Sequence, residues 1–187
     1  MKNLTAKLSG VTIGLMMVGA VHADQFDATA TVSSAITLVE TTALDLGTLF
    51  MPDSNCSGTG SFMTVPTDGS SVLITGGTGN CAGDDIVSLA AGTAGLITIT
   101  GAAAFGTVTV DSSTAPLDLV HFTLNGTLPV IVFTTLTTLP TDGNTVTLDA
   151  NGDGGIVVGG VFTAEVSNAN GYQDGLYTGN YDIDVSY

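Results

Sequence analysis

The last eleven residues, Tyr177 to Tyr187, restrict what this chain can become more than any other stretch. Odd positions carry Tyr177, Gly179, Tyr181, Ile183, Val185 and Tyr187, and even positions carry Thr178, Asn180, Asp182, Asp184 and Ser186. Side chains of an extended chain alternate between faces, so the segment reads as a strand with one apolar face and one wet, acidic face. Such a strand needs a backbone partner. The expectation is that it pairs early in the sequence or with another chain.

The rest of the chain repeats the theme in shorter pieces. Period-two or short apolar runs fall at 26–39, 43–50, 61–65, 71–75, 86–90, 96–100, 105–110, 117–124, 130–136, 145–148 and 156–166. Gly159-Gly160 marks a bulge in the last of these. Turn residues separate the runs at roughly the 8–12-residue spacing of a sandwich or barrel. Apolar residues are mostly small or β-branched, and Gly and Thr abound, which favours strands and tight turns over helices. The predicted fold is all-β, about ten short strands in an immunoglobulin-like or jelly-roll β-sandwich.

The start of the chain reads differently. Lys2 and Lys7 precede an apolar run from Val11 to Val21, and Val21-His22-Ala23 supplies a small-x-small cleavage site. Residues 1–23 therefore read as a signal peptide, cleaved before folding, and residues 24–187 as a single domain. No second apolar run of that length follows, so no membrane span is expected after the signal is removed. The destination implied is export through the periplasm to the cell surface or beyond.

Both basic residues lie within that leader, whereas all 17 acidic residues lie after it. A chain with no Lys or Arg cannot release counterions from phosphates, so nucleic acid is excluded as a partner class, and anionic lipid is disfavoured. The acidity reads as solubility or as affinity for divalent cations. Catalysis is equally poorly supplied. His121 is the one histidine after the leader, and it sits among apolar neighbours in Leu119-Val120-His121-Phe122. It reads as packed, and no catalytic residue is assigned, because acid–base work needs a second positioned group.

Two further features invite assignment. Cys56 and Cys81 are the only cysteines, and in an exported protein they read as one disulfide. Asp149-Ala150-Asn151-Gly152-Asp153-Gly154 opens like a calcium loop, D-x-N-x-D-G. The twelfth position is Gly160 rather than a bidentate Glu. Asp149, Asn151 and Asp153 are thus either calcium ligands or an ordinary turn. No other cofactor is indicated.

Gly171-Tyr172, Gly175 and the run Tyr177 to Tyr187 resemble the terminal G-x-Y-x-x-x-x-V-x-V-x-Y strand of spore-coat-U-like proteins, subunits of archaic chaperone–usher pili. Leu44-Asp45-Leu46-Gly47 and Val157-Val158-Gly159-Gly160-Val161-Phe162 are similar to segments of a related uncharacterised family of small secreted bacterial proteins. The pilin resemblance implies an immunoglobulin-like sandwich lacking one strand, with each subunit's N-terminal extension filling the gap in its neighbour. Its partners would be other copies, or a periplasmic chaperone and usher. The cysteines differ from the pilin pattern, lying in loops well after the first strand. The second family implies fold and export, and no activity.

Residues 24–33 have the pattern a donor strand needs, with Phe26, Ala28, Ala30 and Val32 on one face and Asp27, Thr29, Thr31 and Ser33 on the other. The expected function is a structural surface or fimbrial subunit, non-catalytic and assembled by β-strand complementation. The alternative is a secreted or cell-surface binding module for a glycan or a calcium-bridged partner.

Overall fold

Valine, isoleucine and threonine alternate along most of the chain, and the backbone is extended to match. A computed structural model describes residues 36–51, 56–112, 118–124, 126–141, 143–166 and 170–187. These residues contain no helix and form fifteen short strands paired antiparallel. They are β1 (Thr37–Thr42), β2 (Thr48–Phe50), β3 (Gly58–Thr59), β4 (Phe62–Val65), β5 (Leu73–Thr75), β6 (Thr78–Gly79), β7 (Val87–Ala90), β8 (Gly95–Thr100), β9 (Thr107–Asp111), β10 (Val120–His121), β11 (Ile131–Leu139), β12 (Thr145–Thr147), β13 (Gly154–Ala164), β14 (Tyr177–Thr178) and β15 (Asp184–Ser186). Residues 1–23, read as a signal peptide, and the segment with Phe26, Ala28, Ala30 and Val32 lie outside the described residues.

β13 is the centre of the largest sheet. β11 runs along one of its edges, from Ile131 opposite Ala164 to Leu139 opposite Val157. The other edge is shared end to end. β8 pairs with Gly154–Val158, and β4 pairs with Gly160–Thr163. β1 extends the sheet beyond β8, and β5 extends it beyond β4. A smaller sheet has the order β12-β9-β15, and three two-stranded ladders, β2-β7, β3-β6 and β10-β14, complete the pairing.

The even-numbered residues of β13 all point to one side, as strand geometry requires. In the first half of the strand, Ile156 and Val158 join Ile97 and Ile99 of β8, and meet Val108, Val110, Val146 and Leu148 from the β12-β9-β15 region. The small sheet therefore covers that half. In the second half, Phe162 and Ala164 join Met63, Val65, Ile131 and Phe133, and the cover comes from Leu46, Ile86 and partly buried loop residues. One strand face thus carries two clusters, one roofed by a sheet and the other by irregular segments.

Gly159 is where β13 changes partners. A Cβ there would overlap the Val65 carbonyl oxygen, and one at Gly160 would run into the Phe133 ring. The paired glycines permit close approach rather than a bulge; the register shift lies across the ladder, in β11 between Phe133 and Thr135. Gly154 and Gly155 belong to β13 as well, although they read as turn. Gly154 is in the strand through its pairing with Ile99, and is glycine because a side chain there would crowd Leu148 and Val146.

The terminal run differs most from expectation. It is two strands, with Gly179–Ile183 between them outside any ladder. β14 pairs with β10, and β15 pairs with β9, so the partners come from mid-chain rather than from its start. The alternation survives the break. Tyr181, Ile183 and Val185 pack inward while the residues between them are exposed. Tyr187 ends exposed, its hydroxyl oxygen accepting the Ala103 N–H at 2.9 Å.

The Gly159 contact gives a paired test. Gly159→Ala forces overlap with backbone and should cost about 1–3 kcal/mol. Gly155→Ala meets Leu96 Cδ1 at 3.7 Å and the Ile97 carbonyl oxygen at 4.0 Å, both ordinary contacts, and should stay within about 0.5 kcal/mol of the parent. Urea midpoints at unchanged slope report both.

Candidate functional site

The irregular roof over the second half of β13 leaves a cleft of about 910 Å³. Its floor is built from β11 and β13. Phe133 and Phe162 sit opposite each other in the ladder and stack with ring centres 4.2 Å apart. Ile131 and Leu119 continue the floor. One wall is residues 43–51 and the other is residues 172–179 with Tyr181. Phe50 and Leu176 stand on the rim, 62% and 63% exposed.

Both walls are pinned by carboxylates and hydroxyls rather than by long ladders. On the first, Asp45 exchanges backbone hydrogen bonds with Thr93, at 2.7 and 3.0 Å. Its Oδ1 accepts the Gly47 N–H at 2.8 Å, closing the turn. Gly47 has φ +79°, and a Cβ there would overlap the Ala90 carbonyl oxygen, so the Leu-Asp-Leu-Gly order is dictated locally.

The second wall hangs on Tyr172 and His121. The Tyr172 hydroxyl donates to the Val130 carbonyl at 2.8 Å and accepts the Glu165 N–H at 2.7 Å. Glu165 Oε2 accepts the Val130 N–H at 2.7 Å. The loop is thereby tied to the ends of β11 and β13. His121 is buried, 6% exposed, and its Nδ1 accepts the N–H groups of Leu124 and Thr123 at 3.1 and 3.3 Å. That fixes the proton on Nε2, which donates to the Asp174 carbonyl at 3.2 Å. The ring meets Tyr177 edge-on at 5.2 Å. His121 therefore holds the wall in place, and a side chain at Gly175 would overlap its ring.

A second opening of about 370 Å³ continues from the first and shares Ala43, Leu44, Gly179 and Tyr181 with it. It lies between β1, with Leu38 and Glu40, and the stretch between β14 and β15, with Asn180 and Ile183. Where the two openings join, the Tyr181 hydroxyl donates to Glu40 Oε1 at 2.9 Å. Burial, and then the Glu40 carboxylate, push the Tyr181 hydroxyl above the ordinary tyrosine value of 10.0. Burial does the same to Tyr172, helped by the charge of Glu165. Both remain donors at any ordinary pH.

The residues singled out in the sequence are scattered. Cys56 and Cys81 are bonded, with Cα atoms 5.3 Å apart, and the bridge joins the chain before β3 to the turn after β6. Asp149 Oδ1 accepts the N–H groups of Asn151 and Asp153 at 2.7 and 2.9 Å. Those two bonds, Asp153 first, hold its carboxyl below the usual range. Asp149 thus faces its own turn, and Gly152 has φ +81° within it. Among the described residues, no group of three or more His, Cys, Asp or Glu is placed to hold a metal ion. None of these residues lines the cleft.

The cleft itself was missed in the sequence. Its one legible sign is Gly179-Asn180, a turn pair set inside an otherwise unbroken alternation. No protein-family model, curated protein or solved structure matches the chain. Among the described residues no helix is long and apolar enough to cross a membrane.

The two shielded tyrosines predict an alkaline weakness. Above pH 10.0 the unfolded chain gives up phenol protons that the folded chain keeps at Tyr172 and Tyr181. The folded state then binds more protons, so stability falls as pH rises beyond that point. Absorbance at 295 nm should show two phenols ionising only as the protein unfolds. Tyr172 and Tyr181 ionising near pH 10 while the protein is still folded would contradict this.

Proposed function

We propose that this chain is a structural surface subunit, pilin-like and non-catalytic, that assembles by β-strand complementation. The cleft carries this reading. A cluster roofed by a sheet over one half and left open over the other, with exposed aromatic and leucine residues on its rim, is a core short of one element. On this view the two facing sheets are an immunoglobulin-like or jelly-roll β-sandwich with one strand absent. The strand supplied is residues 24–33 of a neighbouring copy, with Phe26, Ala28, Ala30 and Val32 turned into the opening. Residues 1–23 serve as a signal peptide, the chain passes through the periplasm with a chaperone and usher as partners, and it works at the cell surface.

The composition supports a structural role. After the leader there is no Lys or Arg, so neighbouring copies are joined by backbone pairing and apolar contact rather than by ion pairs. A second reading is a secreted binding module whose cleft takes an external ligand. Tyr172, Tyr177 and Tyr181 in the cleft wall favour it, because amphipathic rings suit the faces of a glycan.

Deleting residues 24–32 separates the two. On the assembly reading the full chain runs as a ladder of multimers on an unboiled gel. The truncated subunit folds and accepts a strand, but cannot donate one, and so caps the polymer. If the full chain never forms multimers and the truncated protein is folded, the binding-module reading takes its place.

A further inference from the structure

The terminal segment breaks its ladder where the two openings of the cleft meet. β14 ends at Thr178 and β15 begins at Asp184. Opposite this gap stands β1, an edge strand of the large sheet. Two edges that face each other this way would ordinarily close by backbone pairing or by a strand laid between them. Here a side chain spans the distance instead, since the Tyr181 hydroxyl donates to Glu40 of β1, 141 positions away in sequence.

The surroundings of the pair are arranged around that ring. Tyr181 packs against both hydrophobic clusters, so it stands at the boundary between them. Gly95 leaves room for its hydroxyl, since a Cβ there would come within 3.3 Å of it. Glu40 sits at the register shift between β1 and β8, which lies between Glu40 and Thr42. Ala43 and Leu44, which follow β1, border both openings.

We propose that Tyr181 and Glu40 form a clasp that divides the cleft, holds the unladdered stretch Gly179–Ile183 against β1, and must open before an extended strand can run the full length of the cleft. The inference rests on the complementation reading for its occupant, but the clasp is a property of the subunit itself. It sets the rate of strand entry. A strand that occupies only the larger opening leaves the clasp shut. One that reaches both openings displaces the hydroxyl from the carboxylate and takes over the backbone groups of 179–183. Charge-assisted bonds of this type are strong when shielded, and this one is weakened because Glu40 is exposed.

The test uses the full chain, its Tyr181→Phe and Glu40→Ala variants and the double variant, with a labelled synthetic peptide of residues 24–33 as probe. Tyr181→Phe keeps the ring and loses the hydroxyl, and Glu40 is exposed, so both variants should fold. Anisotropy should show the peptide entering each single variant about fivefold faster than the parent. The double variant should be no faster than either single one, because the two groups act as one unit. Parent-like rates in the single variants, or additive effects in the double, overturn the clasp. If the peptide binds none of the proteins, the complementation reading fails and the clasp is judged by amide hydrogen exchange. Faster exchange at 179–183 in both single variants upholds it, and unchanged exchange removes it.

Discussion

The face of β13 that bears Ile156, Val158, Phe162 and Ala164 is the constraint on which the rest of the structure depends. A strand of this length outruns the strands available to flank it, so one edge is divided between β8 and β4. The division requires a residue without a side chain at the handover, and Gly159 provides it, with the Val65 carbonyl filling the space where a Cβ would stand. Everything beneath the strand inherits the division. The small sheet roofs the half next to β8, while the half next to β4 is left to loops, and the cleft is the difference between the two roofs.

Loops that roof a core must be held without a ladder, and this chain has no Lys or Arg beyond Lys7 to help. Its carboxylates are answered by N–H groups instead. Asp68 takes the Ser70 N–H, Asp85 takes that of Gly77, and Asp118 takes that of Phe133. Asp45, Asp149 and Glu165 do the same at Gly47, Asn151 and Val130. Each bond satisfies a backbone donor that the short strands leave over. At Asp68, through the Ser70 hydroxyl and then its N–H, and at Asp149, such bonds also hold the carboxyl below its usual range. The acidity is therefore partly architectural. It fixes turns that ion pairs fix in other proteins.

The parts of this architecture that depend on local pattern were legible in the sequence. The short apolar runs at 96–100, 105–110 and 145–148 located β8, β9 and β12, and two cysteines in a chain read as exported implied the Cys56–Cys81 bond. The parts that depend on who packs against whom were not. Gly154 read as turn because nothing local reveals that Leu148 and Val146 will press on it. Of residues 118–124 only Val120 and His121 form a strand, since Asp118 and Leu119 bond to Phe133 and Ile131 while Thr123 and Leu124 turn back onto the His121 ring. The terminal run split because Tyr181 joins both clusters, a demand visible only once both exist. Its alternation survived because burial of the odd positions outlasts the loss of ladder bonds.

The place of β13 in the chain also bears on when the molecule can fold. Its partners β4, β8 and β11 all precede it, and Thr163 must find Phe62 across about a hundred intervening residues. Pairings so distant are slow, because loop closure must come before any contact rewards it. Until Gly154–Ala164 has left the ribosome there is no central strand for the earlier ones to join. A growing chain of this design stays open through most of its synthesis, a state in which it can still be threaded through a narrow pore.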